Sequence, residues 1–288
     1  MLTTRIIGVI NILNDVAVQS INFSQYLPIG MPKIAIDYID KWGIDEILIL
    51  DIDASNKEKS SLHNLLPGYI DDCQTPVAAG GGVKTLFDIE NLIRNGADKV
   101  VINTMAHTDP KLIEEGAKEF GEQAIIVSFD VRKIKKEYIL YTHSGTNQID
   151  ISLKESISQA RDYGAGEIII NSIDRDGSKK GFDIELFDKV KRMTSMPIIG
   201  VGGAGTANHF KQALSSGISG LAAGNFFHFT EHSVLALKSY LVKDNDDIRL
   251  DTYADYKDSD FGIDNRLSPL TDENLESLRF DYIPQEKI

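Results

Sequence analysis

Two glycine-rich segments of this sequence have the composition of anion-binding loops. Gly80-Gly81-Gly82 follows one apolar run, and Gly202-Gly203-Ala204-Gly205 follows another. Glycines let backbone N–H groups approach an anion closely, and a helix N-terminus behind the loop adds positive potential. Tight strand-to-helix turns also use glycine, but the recurrence of the pattern favours a ligand with a phosphate at each end. The residues expected to contact it are Gly82, Asn103, Thr104, Gly203, Gly224 and Asn225.

Carboxylates follow two other apolar runs and could orient substrate hydroxyl groups or transfer protons. Asp51 and Asp53 come after one run, and Asp174 and Asp176 come after the other. Asp also caps helices and forms turns, and that structural role fits Asp174 well. Asp176 is the stronger functional candidate because a glycine and a serine follow it directly. We therefore expect Asp51, Asp176 and Gly177 to contact the substrate.

Two basic and two acidic residues stand at the starts of apolar runs. Arg5, Glu46, Lys99 and Glu167 each lie at or just before a predicted strand. Ordinary surface pairing is the simpler interpretation, and such pairs contribute little to stability. Their shared position at four strand starts favours a ring of ion pairs at one end of the fold.

The order of the apolar runs repeats along the chain. Residues 5–105 align with residues 124–225 at an offset of about 120, and each half has the pattern of four βα units. Eight parallel strands predict a (β/α)8 TIM barrel of two half-barrels, with its active site at the carboxyl ends of the strands. The strands are predicted at residues 5–10, 47–52, 76–79, 98–102, 124–130, 167–172, 197–201 and 219–223.

The first strand of each half should end at the active site, and there the halves differ. The second half has Asp130, and the equivalent residue of the first half is Asn11. A carboxylate can exchange a proton near neutral pH, whereas a carboxamide cannot. Asp130 and Asn11 are the candidate catalytic positions, and the substitution puts the acid–base pair in doubt.

Length and charge suggest how the chain is divided. The net charge of the 288 residues is −13, and the segment from Asp244 to Ile288 carries 13 acids and 5 bases. We expect a barrel over residues 1–243, with half-barrels at about 1–123 and 124–243, followed by an acidic tail over 244–288. The charge of the tail favours disorder, but its aromatic residues favour packing on the barrel, so we expect partial order. These aromatic residues are Tyr253, Tyr256, Phe261, Phe280 and Tyr282.

Composition also restricts partners and cofactors. The barrel segment is only mildly acidic, which argues against nucleic acid as a partner. Cys73 is the single cysteine, so an internal disulfide and a cysteine metal cluster are excluded, and no metal or cofactor is expected. No apolar run has the length of a membrane span. The sequence therefore predicts a cytoplasmic protein.

Two further elements are predicted outside the regular pattern. A short β-hairpin should follow the fifth strand, over Ile134 to Thr142. The second helix, between Lys57 and Asp72, should be kinked or broken because Pro67-Gly68 interrupts it.

Several segments together resemble HisF, the cyclase subunit of imidazole glycerol phosphate synthase, over residues 1 to about 250. The segments that carry the resemblance are Arg5-Ile6-Ile7, Gly43 to Glu46, Gly80 to Gly82, Gly96 to Val100, Thr142 to Gly145, Ser172 to Gly177, and Gly202 to Gly205 with His209-Phe210.

The resemblance implies a HisH-type glutaminase as partner, whose ammonia enters the bottom of the barrel through a salt-bridged gate. Arg5, Glu46, Lys99 and Glu167 match that gate, and Asp98 matches a position that meets the glutaminase. It also implies a bisphosphorylated or sugar-phosphate substrate and cyclase chemistry by two aspartates. Only Asp130 matches one of the two, because Asn11 occupies the other position.

The first loop departs from the family pattern as well. Residues 13–20 carry no basic side chain, and Gln19 stands where a substrate-contacting lysine belongs. The sequence thus resembles the HisF-like paralogues found with sugar amidotransferases of surface-polysaccharide pathways, and a weak cyclase is our leading interpretation. An ordinary cyclase of histidine biosynthesis is the main alternative. The related HisA sugar isomerase and a non-catalytic scaffold with a recruiting tail are the others.

Overall fold

The computed structural model describes residues 3–54, 62–228, 232–243, 248–250, 256, 259–262 and 266–277. In chain order the strands are β1 (Arg5–Leu13), β2 (Val16–Ile21), β3 (Gln25–Gly30), β4 (Glu46–Asp51), β5 (Val77–Gly80), β6 (Lys99–Ile102), β7 (Ile125–Ile134), β8 (Glu137–Thr142), β9 (Asn147–Gln148), β10 (Glu167–Ser172), β11 (Ile198–Val201) and β12 (Gly220–Ala223). The helices are α1 (Pro32–Lys41), α2 (Leu66–Ile70), α3 (Leu86–Arg94), α4 (Met105–Thr108), α5 (Lys111–Phe120), α6 (Leu153–Asp162), α7 (Ile184–Lys191), α8 (Ala207–Leu214), α9 (Ser233–Val242) and α10 (Asp272–Ser277).

Eight of the strands form a closed parallel barrel, in the order β1, β4, β5, β6, β7, β10, β11 and β12. β12 pairs with β1 in parallel and so closes the ring. The predicted (β/α)8 TIM barrel is confirmed. Every predicted barrel strand is present, although β1 and β7 run further than expected.

The barrel has two apolar clusters because side chains alternate along each strand. Inward residues such as Ile7, Leu48, Ile126 and Ile169 form a cluster inside the barrel. Their outward neighbours pack against the helices in a larger cluster. Burial on both faces explains why these strands are continuous apolar runs in the sequence.

β1 and β7 occupy equivalent places in the two half-barrels, and each continues beyond the barrel into an antiparallel hairpin. The hairpin predicted after the fifth strand is confirmed, because β7 pairs with β8. The segment expected as a loop after the first strand is instead largely strand, since β2 pairs with both β1 and β3. Val16, Val18 and Ile21 favour this conformation, and Ala17 and Val18 are buried.

Three described residues of the tail lie beside α9 or the residue that precedes it. The ring of Phe261 lies 5.5 Å from that of Tyr240, and Lys243 Nζ donates to the Ser259 carbonyl oxygen at 2.7 Å. Tyr256 lies beside His232, which precedes α9. Tyr253, Phe280 and Tyr282 fall outside the described residues, as do residues 57–61 of the predicted second helix.

Candidate functional site

A cavity opens at the carboxyl ends of the barrel strands, and the alternation of side chains decides what faces it. Val9, Val101 and Ile169 point inward and form part of its base. The next inward residue in each case is an asparagine, namely Asn11 on β1, Asn103 just past the end of β6, and Asn171 on β10. All the mouth residues predicted from the sequence line this cavity, namely Asn11, Asp51, Gly82, Asn103, Thr104, Asp130, Asp176, Gly177, Gly203, Gly224 and Asn225.

Asp130 is a buried carboxylate held between two asparagines. Asn103 Nδ2 donates to Oδ2 at 2.8 Å, and Asn171 Nδ2 donates to Oδ1 at 3.3 Å. Burial raises the pKa of Asp130 to about 6, although both hydrogen bonds act to lower it. A carboxylate that titrates this close to neutral pH is suited to general acid–base chemistry.

Asn11 occupies the equivalent place in the first half-barrel. It pairs with Val18 where β1 enters its hairpin, as Asp130 pairs with Tyr141 in the other half. The two positions are thus equivalent in the backbone, but one carries a carboxyl group and the other a carboxamide. Only the Asp130 side of the pair carries a titratable group.

Both glycine segments contain residues with positive φ. Gly82 has φ +67° and Gly203 has φ +101°, values that side chains rarely tolerate. No hydrogen bond within the described part of the chain uses the amide of either residue. A Cβ at Gly203 would also overlap with the Gly181 carbonyl oxygen. Both loops can therefore present free amides to an anion.

The helix behind each loop is capped by a different group. Asp88 Oδ2 accepts from the amide of Thr85 at 2.9 Å, whereas His209 Nδ1 accepts from the amide of Gly205 at 3.1 Å. Burial lowers the pKa of His209, with a smaller effect from Arg175. The second loop therefore lacks the negative charge that Asp88 places beside the first.

Two predicted substrate-contacting residues hold the β2–β3 hairpin over the mouth. Asp176 Oδ2 accepts from Ser20 Oγ at 2.6 Å and from the Phe23 amide at 3.2 Å. The Asn225 carboxamide pairs with the peptide of Ser20, through bonds of 3.2 and 2.7 Å. Burial raises the pKa of Asp176, and the bond from Ser20 opposes this. The hairpin thus closes through neutral donors where the family has a basic loop.

The four charged residues predicted as a ring lie together at the opposite end of the barrel. Arg5 pairs with both Glu46 and Glu167. Lys99 Nζ lies 2.9 Å from Glu46 and 3.0 Å from Glu167. The two glutamates are only 3% and 6% exposed. Burial lowers the pKa of Arg5, but the two glutamates outweigh it and raise the pKa overall.

The same alternation connects this floor with the mouth. β1 carries Arg5 and Asn11 on its inward face, and β6 carries Lys99 followed by Asn103. Between the two ends the interior is apolar. Asp98, the predicted partner contact, is exposed beside the floor, and its carboxylate accepts from the Val77 amide at 2.8 Å.

Four residues of the site and its surroundings were missed in the sequence. The inward position of Asn171 could have been predicted from that of Glu167, because every second residue of a strand lies on the same face. Ser20 and His143 make their contacts because two hairpins dock over the mouth, and no local sequence pattern predicts this docking. Lys238 is fully buried and binds Asp45 Oδ1 and the Gly43 carbonyl oxygen, both at 2.6 Å, within an otherwise apolar helix.

Comparison with known proteins agrees with this geometry. Residues 5–233 match the family model described as histidine biosynthesis protein. The chain belongs to this family. It is 40% identical over 261 residues to the "Putative imidazole glycerol phosphate synthase subunit hisF2" of Vibrio vulnificus (strain YJ016), covering 90% of this chain and 96% of that protein.

Relatives named "Imidazole glycerol phosphate synthase subunit HisF" are similar over the same region. The protein of Thermotoga sp. (strain RQ2) is 37% identical over 251 residues, covering 87% of this chain and 99% of its own length. That of Bacillus pumilus (strain SAFR-032) is 37% identical over 244 residues, covering 84% and 97%. The chain is thus a HisF-like barrel. No helix in its described part could cross a membrane.

Proposed function

We propose that this chain is the barrel subunit of a glutamine amidotransferase complex. A HisH-type glutaminase docks at the floor, and ammonia passes through the barrel to the cavity at the mouth. The observation that carries the proposal is the closed ring of Arg5, Glu46, Lys99 and Glu167.

Burying a ring of ion pairs at the floor costs free energy of desolvation, so its presence calls for a functional explanation. Removing charges from water costs several kcal/mol per ion, and apolar residues of similar volume often stabilise a protein better. A ring of alternating charges can open by breaking one pair and close again without leaving a charge unpaired. This favours a gate over a purely structural plug. An isomerase, which uses no ammonia, would have no need of one.

The barrel interior suits ammonia as cargo. Ile7, Leu48, Val101, Ile126 and Ile169 lie between the ring and the mouth. Neutral ammonia crosses such an apolar stretch at little cost, whereas an ion would lose its hydration. Ammonia would then arrive beside Asp130.

We propose further that the cyclase step is weak. Asn11 removes one member of the acid–base pair, a loss that typically costs about 10²–10⁴-fold in rate. The hairpin also lacks the charge of the family's loop. The ammonia acceptor is then either the family's bisphosphate or a sugar phosphate, as in nucleotide- or lipid-linked sugar amidation. The name of the hisF2 relative, a second HisF, supports a diverged paralogue.

An ordinary cyclase of histidine biosynthesis is the second candidate, and the environment of Asp130 favours it. A pKa of about 6 and two asparagine donors are what a working general base needs. Ammonium-driven turnover of the bisphosphate substrate separates the two. Rates on the order of 1–10³ per second would establish the ordinary cyclase, and Asn11→Asp would then be unnecessary for activity.

Docking of the glutaminase is tested at Asp98. Asp98→Asn keeps an oxygen that can accept from the Val77 amide, while Asp98→Lys reverses the charge. If the floor is the interface, Asp98→Lys should weaken binding more than Asp98→Asn, and high salt should reduce the difference. Equal binding by both variants would place the glutaminase elsewhere.

A further inference from the structure

The proposed chemistry leaves one role at the mouth without a group to perform it. Adding ammonia to a carbonyl carbon needs a base for the proton on nitrogen and an acid for the developing oxygen anion. Asp130 can serve as the base, but Asn11 has no proton to give. The other ionisable residues among the described lining of the cavity are Tyr26, Asp51, His143 and Asp176.

The surroundings of these groups single out the imidazole. Asp176 already accepts hydrogen bonds from the β2–β3 hairpin, and Asp51 is the residue predicted to orient the substrate. Burial raises the pKa of Tyr26 above its ordinary range, which makes it a weaker acid. The imidazole of histidine ordinarily changes between its protonated and neutral forms near physiological pH. His143 is the only imidazole in the described lining.

The topology places His143 in the lining of the same cavity as Asp130 and Asn11. Asp130 pairs with Tyr141 across the β7–β8 hairpin, and His143 follows two residues later, past the end of β8. Ser144 Oγ donates to the Ile52 carbonyl oxygen at 2.8 Å, which fixes the segment across the mouth. The Ile52 amide donates in turn to the carbonyl oxygen of Ile12, the neighbour of Asn11.

The backbone at this point is held in a costly conformation. His143 has φ +51° and Ser144 has φ +55°, two successive left-handed residues that are not glycine. Such residues persist only where surrounding contacts impose them, and they concentrate at functional sites. The ring is held as well, because Nδ1 lies 3.1 Å from Thr142 Oγ1 and 3.3 Å from Asn147 Nδ2. This leaves Nε2 as the nitrogen available for proton transfer.

We propose that His143 is the second proton-transfer residue of the cavity, and that the weak cyclase step proceeds through it because it replaces only in part the acid lost at Asn11. This inference rests on the proposed function. As the nitrogen of ammonia bonds to the carbonyl carbon, the C=O π bond breaks and its oxygen takes a proton from the His143 imidazolium. Asp130 takes the surplus proton from nitrogen, so no charge or atom is left over.

A four-chain cycle tests this proposal: the natural chain, His143→Asn, Asn11→Asp and the double variant. Ammonium-driven turnover of the family's bisphosphate substrate is measured for each. His143→Asn should lower kcat of the natural chain about 10²-fold with little change in KM, since the lost interaction belongs to the transition state. With Asn11→Asp present, a carboxylic acid can serve instead, and the loss should shrink to about threefold or less. His143→Gln repeats the test, and melting curves confirm that each variant folds.

Each outcome is decisive. A loss of kcat that is larger with Asn11 than with Asn11→Asp supports His143 as a proton donor. If the histidine were merely structural, its replacement would lower kcat by the same factor in both backgrounds. Equal loss, no loss, or turnover that appears only with Asn11→Asp overturns the inference while leaving the proposed function standing. No turnover in any of the four chains overturns the proposed cyclase chemistry itself, and the inference with it.

Discussion

At the scale of single residues, the environment of Asp130 makes the clearest prediction. The pKa of its carboxyl group is about 6 in the folded chain and about 4 in an unfolded one. The folded state therefore binds the extra proton between these values, and stability falls as pH rises through this window. Above pH 6 the buried charge of Asp130 lowers the free energy of unfolding. Below pH 4 the carboxyl group is protonated in both states and has no such effect.

Asp130→Asn should consequently stabilise the fold and abolish its chemistry. We expect the free energy of unfolding at pH 7 to rise by roughly 1–3 kcal/mol, with little difference at pH 4. Ammonium-driven turnover should fall by about 10²–10⁴-fold. Urea unfolding at the two pH values measures the first effect. Asp174→Asn, at an exposed carboxylate that accepts from the Lys133 amide, is the control. A variant less stable than the natural chain at pH 7 would contradict the burial of a charged Asp130.

At the scale of elements, one serine hydroxyl contributes to holding the β2–β3 hairpin over the mouth. Ser20→Ala removes the donor to Asp176 but leaves the backbone pairing with Asn225. A hydrogen bond to a charged group contributes about 1.5–3 kcal/mol, so the hairpin should open more often. We expect faster hydrogen exchange over residues 16–30, and a rescue by Ser20→Thr. Unchanged exchange would show that the backbone pairing alone holds the hairpin.

The two glycine loops make a second prediction at this scale. Phosphate should bind near Gly82 and Thr104 and near Gly203 and Asn225, and more tightly at the second loop because Asp88 repels an anion at the first. A crystal grown with phosphate, together with binding measured by calorimetry, checks both points. Gly203→Ala should abolish the second site alone. Occupancy at neither loop would return the glycines to a purely structural role in tight turns.

Much of this element-scale picture was predictable from local pattern. The barrel followed from eight apolar runs, and the floor ring from four charges at strand starts. The docking of the β2–β3 hairpin was not predictable, because Ser20 lies 156 positions from Asp176 in the chain. The buried Lys238 was hidden for the same reason, since its partner Asp45 is remote in sequence and the surrounding helix is apolar. The predicted roles of the site residues, and the division at residue 243, remain predictions.

At the scale of the whole molecule, the barrel has two chemically different ends. The floor carries charged residues paired to each other, the interior is apolar, and the mouth carries free amides and a titrating carboxylate. The floor, the interior and the mouth all consist of inward side chains, which recur at every second position along the strands. The described tail residues Ser259 and Phe261 lie beside α9, beyond residues 5–233 that the family model matches.

The most direct test of the account is ammonia transfer from a glutaminase through this floor. A HisH-type glutaminase is purified and assayed for glutamine hydrolysis, alone and with this chain. We expect a 1:1 complex and faster glutamine hydrolysis when this chain is present. Lys99→Ala leaves the two buried glutamates with Arg5 alone, so it should still assemble but release ammonia to solution. Lys33→Ala removes a lysine that also pairs with two carboxylates, though at the exposed surface, and should behave like the natural chain. Failure to form a complex, with a glutaminase rate that does not respond, would contradict ammonia transfer through the barrel.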